Sequence, residues 1–82
     1  MFKMEISLQN DAVPKPREFT AEVSGKSIES LKNELDGVIL KTAPESSDYH
    51  FSVLFTENGG YADSDEGMCR CDTESGIVAY DD

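Results

Sequence analysis

Phe2, Met4, Ile6 and Leu8 alternate with Lys3, Glu5, Ser7 and Gln9. Side chains on an extended chain point to opposite faces at period 2, so this run predicts a strand with one buried face. Asn10 to Pro16 holds two prolines and an Asn-Asp pair, which predicts a loop that ends the strand. Phe19, Ala21 and Val23 then alternate with Glu18, Thr20 and Glu22, giving a second strand placed to pair antiparallel with the first.

The period changes after Ser27. This residue suits a helix N-cap, Glu29 complements the positive end of the helix dipole, and Ile28, Leu31 and Leu35 share one helical face. Gly37 can supply a left-handed C′ residue, which predicts a helix of about residues 28–36 with Lys32, Asn33 and Asp36 exposed. Val38, Ile39 and Leu40 follow that glycine and include a β-branched pair, which favours a strand there over an extension of the helix. Pro44 to Asp48 reads as a turn, and Tyr49 to Phe55 alternates again, as a central buried strand.

Glu57 to Gly67 contains glycines, acids and the turn signal Asn58-Gly59, and reads as a long exposed loop or loose hairpin, the most mobile part of the chain. Met68 to Cys71 and Ile77 to Tyr80, joined by Asp72-Thr73-Glu74-Ser75-Gly76, read as a terminal hairpin. The order ββα followed by further strands predicts an α+β fold, an antiparallel sheet of four to six strands with one helix packed on one face. Its length of 82 residues suits one domain over residues 1–82.

Composition narrows the function. Hydrophobic residues make up 38% of the chain, enough for a packed core. No run approaches the roughly 20 apolar residues of a membrane span, and the N-terminus alternates where a signal peptide would be continuously apolar, so the expected location is the cytoplasm. The formal net charge is −10. Residues 1–41 carry seven acids and six bases, whereas residues 42–82 carry ten acids and one base, Arg70. Such a field repels nucleic acid and anionic membranes and attracts basic surfaces.

Three site chemistries compete with plain binding. Cys69 and Cys71, with His50, offer zinc-ligand types, but a one-residue spacing and at most three ligands do not make a structural zinc site. On a strand the two cysteines share a face, which suits two small buried apolar residues, and they read as free thiols. A thiolate-imidazolium pair would need His50 beside a cysteine, and no nucleophile turn or orienting motif accompanies them. Asp63-Ser64-Asp65-Glu66-Gly67 imitates the start of a calcium loop, and Glu74 falls at the twelfth position, but the glycine is fifth where the pattern needs it sixth. The expectation is therefore no enzyme, no cofactor and no metal.

What remains is the acidic set Glu57, Asp63, Asp65, Glu66, Asp72, Glu74, Asp81 and Asp82. Acidic runs commonly serve only as a solvated face. Here one sign is almost unopposed over forty residues, and the acids alternate with segments that fold, so the carboxylates would stand in a fixed array. With its ββα opening from Phe2 to Asp36 and its anionic half from Glu45 to Asp82, the chain resembles the small acidic proteins of phages and mobile elements that block host defence, anti-CRISPR and anti-restriction proteins among them. It carries no family-specific motif. The resemblance implies a stoichiometric inhibitor that acts as a nucleic-acid mimic on a basic, nucleic-acid-binding surface of a CRISPR effector or nuclease. The other reading is an interaction module that binds through an apolar patch or sheet edge, with Tyr61 or Tyr80 as its exposed aromatic. Homodimerisation through a sheet edge stays open on either.

Overall fold

A computed structural model describes residues 1–10 and 17–81. Five strands and one helix follow in the order β1 (Phe2–Asn10), β2 (Arg17–Gly25), α1 (Ile28–Thr42), β3 (Ser47–Glu57), β4 (Gly60–Asp72) and β5 (Ile77–Tyr80). All strands pair antiparallel in one sheet of order β2-β1-β3-β4-β5. The fold is α+β, as the residue pattern predicts. The loop expected over Asn10 to Pro16 lies outside the described residues, except Asn10, which ends β1.

Alternation explains the sheet. Met4, Ile6 and Leu8 of β1 stand opposite Val23, Ala21 and Phe19 of β2, and opposite Phe55, Val53 and Phe51 of β3. Directly opposed residues share a face, so these nine side chains make one apolar layer. Leu31 and Ile39 of α1 close over it, both fully buried. The opposite face, with Glu5, Ser7, Thr20, Glu22 and Ser52 among its residues, is open to solvent and carries a shallow depression of about 560 Å³.

The helix begins where expected. Ser27 caps it, its Oγ accepting from the Ser30 N–H at 3.0 Å. It does not stop at Gly37. It runs to Thr42, so the strand expected at Val38–Leu40 is helical, and the apolar stripe continues through Leu35, Val38 and Ile39. A glycine inside a helix costs about 1 kcal/mol relative to alanine, whereas burying an isoleucine side chain gains roughly 1.5–3 kcal/mol, so the stripe outweighs the glycine. Ala43 and Pro44 then end the helix, and the Ala43 N–H donates to the Ile39 carbonyl at 2.8 Å.

The second correction concerns Glu57 to Gly67. It is not a long loop: of the two expectations the hairpin holds, in a tight form, with Asn58 and Gly59, both at positive φ, making its two-residue turn and β4 starting at Gly60. Backbone twist at positive φ matches that of the flanking strands, which is why Asn-Gly is favoured there. A β-bulge at Phe55/Thr56 absorbs one extra residue of β4. The terminal hairpin forms as expected, with β5 covering only Cys69–Asp72 of β4.

Candidate functional site

Register decides where each acid goes. Asp63 pairs with Phe55 and Asp65 with Val53, so both lie on the helix-side face of β4, about 7 Å apart along the strand. Glu66 pairs with Ser52 on the open face, and Asp72 continues that face beyond Arg70. Glu57 ends β3 beside the Asn58-Gly59 turn, and Glu74 sits exposed in the β4–β5 turn. Asp82 lies outside the described residues. The described members of the acidic set are thus spread over two faces and the neighbouring turns, and do not form one array.

One group does converge. Between α1 and the β4–β5 side lies an open cleft of about 370 Å³ lined by Lys32, Leu35, Asp36, Phe51, Asp65, Glu66, Gly67, Tyr80 and Asp81. It exists because α1 lies mainly over β1 and β2 and leaves the far side of the sheet less covered. Gly67 deepens the cleft: a β-carbon there would sit 3.3 Å from the Phe51 ring. Phe51 and Tyr80 meet edge to face at 5.4 Å between centroids, and the Tyr80 hydroxyl donates to Asp36 Oδ1. Burial first, then this hydrogen bond, pushes the Tyr80 phenol well above the ordinary tyrosine range.

Among the described residues Lys32 is the one cation lining this cleft. Its Nζ bonds Asp63 Oδ2 at 2.6 Å and stands 5.6 Å from the Phe55 ring centroid. The hydrogen bond and charge of Asp63 raise the Lys32 ammonium, and Lys32 in turn holds the Asp63 carboxyl below its usual range. Arg70, the only base of the acidic half, is held by Asp48 across the sheet at 2.8 Å on the open face. Asp36 belongs to the cleft although sequence reading placed it only on the exposed face of the helix. Forty-four residues separate it from Tyr80, and no local pattern signals their contact.

Two carboxylates also act on the backbone. Asp63 Oδ1 accepts from the Ser64 N–H and Asp65 Oδ1 from the Glu66 N–H, each at 2.9 Å. In an antiparallel ladder alternate residues turn their N–H away from a given neighbour. Ser64 and Glu66 share the parity of Met68, whose carbonyl faces β5 and accepts from the Asp81 N–H. Their amides therefore point out of the sheet along the part of β4 that β5 does not reach.

The competing chemistries separate in space. His50 pairs with Met68 on the open face, while Cys69 and Cys71 lie buried on the helix side. Both cysteines are free thiols, and burial above all pushes Cys69 up to about 12, so the thiolate needed for nucleophilic attack is disfavoured. The calcium-like segment from Asp63 to Gly67 is extended strand, with successive side chains on opposite faces, and does not curl around a central ion. Among the described residues no three His, Cys, Asp or Glu side chains are grouped to hold a metal. No helix there is long and apolar enough to cross a membrane. Comparison with protein-family models, with curated proteins and with solved structures finds no match.

Proposed function

We propose that the chain is a binding protein whose acidic β4 side docks on a basic, nucleic-acid-binding surface of a CRISPR effector or nuclease and blocks it stoichiometrically. One observation carries this reading: Asp65 lines the cleft with Asp36 and Asp81, Asp63 stands two residues along the same strand in an ion pair with Lys32, and among the described residues Lys32 alone lines the cleft as a counter-charge. Rigid carboxylates lose little freedom on binding, which is what lets them replace phosphates on a cationic groove. Their spacing of about 7 Å is twice the 3.4 Å rise per nucleotide of a duplex strand. Association of this kind is electrostatically steered and weakens with salt.

The test is retention of host proteins on the immobilised chain, followed by stepped salt elution and by displacement with duplex DNA. A nuclease or CRISPR complex should elute at moderate salt, compete with DNA, and be lost with D63N/D65N but kept with D72N/E74Q, since the latter pair lies away from the cleft. Retention that survives D63N/D65N and high salt refutes mimicry. That outcome points to the other reading, docking through apolar groups, for which Tyr61, Ile77 and Met68 stand exposed on β4 and β5. Loss on Tyr61→Ala is its signature. Tyr80 is a poorer candidate, because its ring packs on Phe51 and its hydroxyl is bound to Asp36.

A further inference from the structure

The two edges of the sheet are protected differently. On the β4 side, β5 is only four residues long, and the outward amides of Ser64 and Glu66 are occupied by carboxylates. Short edge strands and charged side chains are the ordinary means of preventing strand addition. On the other side β2 is nine residues long, pairs among the described residues only with β1, and contains neither proline nor lysine. Its helix-side residues Phe19 and Val23 are only partly buried, and with Val38, Lys41 and Thr42 they border a groove of about 670 Å³ along α1.

We propose that β2 pairs antiparallel with β2 of a second copy, giving a two-fold dimer with a continuous ten-stranded sheet and both helices on one face. The residue sequence of β2 selects the register. In a continuous sheet opposed side chains share a face, so the two-fold axis must pass through a residue and never between two. Centred on Thr20, Glu18 of each copy opposes Glu22 of the other; centred on Glu22, that glutamate opposes itself. Centring on Phe19 or Val23 leaves much of the strand unpaired. Centred on Ala21, all nine residues pair: Phe19 faces Val23, Glu18 faces Ser24, Thr20 faces Glu22 and Arg17 faces Gly25. No like charges oppose, and the apolar residues of one copy meet those of the other.

Charge distribution favours the same contact. β2 belongs to the half that carries seven acids and six bases, and the acidic strand β4 lies three strands away. The copies therefore approach through nearly neutral surfaces and leave both β4 edges outermost. An isologous contact of this kind closes after two copies and does not propagate.

The experiment is sedimentation equilibrium of the full chain, with Thr20→Glu and Thr20→Lys compared at equal ionic strength. Thr20 is exposed and opposes neutral Ser7 within its own chain, so both variants keep the fold, which circular dichroism verifies. Across the two-fold each variant creates two contacts with Glu22, repulsive in T20E and attractive in T20K. At about 0.5 kcal/mol per pair, T20E weakens dimerisation about fivefold and T20K strengthens it about fivefold. Ala21→Cys adds a geometric readout: opposed α-carbons lie about 4.5–5.5 Å apart, within disulfide reach, so A21C should cross-link two copies far faster than T20C. A chain that stays monomeric at millimolar concentration, shifts of the same sign in both Thr20 variants, or equal cross-linking at positions 20 and 21 would overturn the proposal. D63N/D65N leaves dimerisation unchanged, so failure here and failure of the docking reading are separable.

Discussion

Gly25 and Gly37 should respond to the same substitution with opposite sign. Gly25 ends β2 under the helix, and a β-carbon there would lie 2.7 Å from Leu31 Cδ2 and 2.9 Å from Leu31 Cγ. Leu31 is fully buried, so giving way would mean displacing its packed neighbours. Forcing a methyl group into such a site costs typically 1–3 kcal/mol, against a gain of about 0.4–1 kcal/mol from restricting the unfolded chain. Gly25→Ala should therefore destabilise by about 0.5–2 kcal/mol, lowering the melting temperature by about 2–16 °C for a domain of this size. Gly37 lies exposed in mid-helix with nothing within 4 Å of its β-carbon position, so Gly37→Ala should stabilise by up to about 1 kcal/mol. Urea denaturation of both variants supplies the numbers. A double-mutant cycle with Leu31→Ala, run in a stabilising osmolyte to keep all four proteins two-state, isolates the cause, because that change removes both clashing atoms. A Gly25→Ala protein as stable as the parent, or one destabilised equally in the Leu31→Ala background, would show that the helix does not approach the sheet at this point.

Two further expectations concern buried polar groups. The Tyr49 hydroxyl, on a fully buried side chain, donates to the Glu45 carbonyl at 2.7 Å and pins the α1–β3 connection; Tyr49→Phe should cost about 1 kcal/mol in urea denaturation with an unchanged slope, and a neutral result would mean that bond contributes nothing. Cys69 is raised from 9.0 to about 12 in the folded chain, so the native state holds the proton longer than the unfolded state; its contribution is complete below about pH 9 and is lost as pH rises toward about 12. Stability measured from pH 8 upward should fall over that window, and Cys69→Ala should flatten the decline; an unaltered slope would refute the assignment.

Physical reasons separate what the sequence discloses from what it hides. β1, β2 and β3 are legible because their buried face is apolar at every second residue. Most of β4 is not, because the positions its register places on the helix side are Asp63, Asp65 and Gly67, where a core strand would carry apolar residues. Only its last turns, around Cys69 and Cys71, keep the pattern. The end of α1 is hidden for the converse reason: Gly37 is a local stop signal, overridden by Ile39 four residues from Leu35 and buried against the sheet. The acids can be named from composition, but faces follow from register, and register at β4 depends on a bulge that no residue announces. Asp36 joins the cleft through a tertiary contact alone.

The position of β1 also sets which contacts of the sheet are local and which are long-range. It is the first strand in the sequence and the second in the sheet, flanked by β2, which follows within a few residues, and by β3, which begins at Ser47. The β1–β2 hairpin can form early, yet its apolar face has no cover until α1 and β3 arrive, which requires closing a loop of tens of residues. By contrast β4 joins β3, and β5 joins β4, through short local turns. Because β4 contributes Cys69 and Cys71 to the core, that core is complete only once the anionic strand is in place, and the strand's charge repulsion is borne by the same packing that buries them.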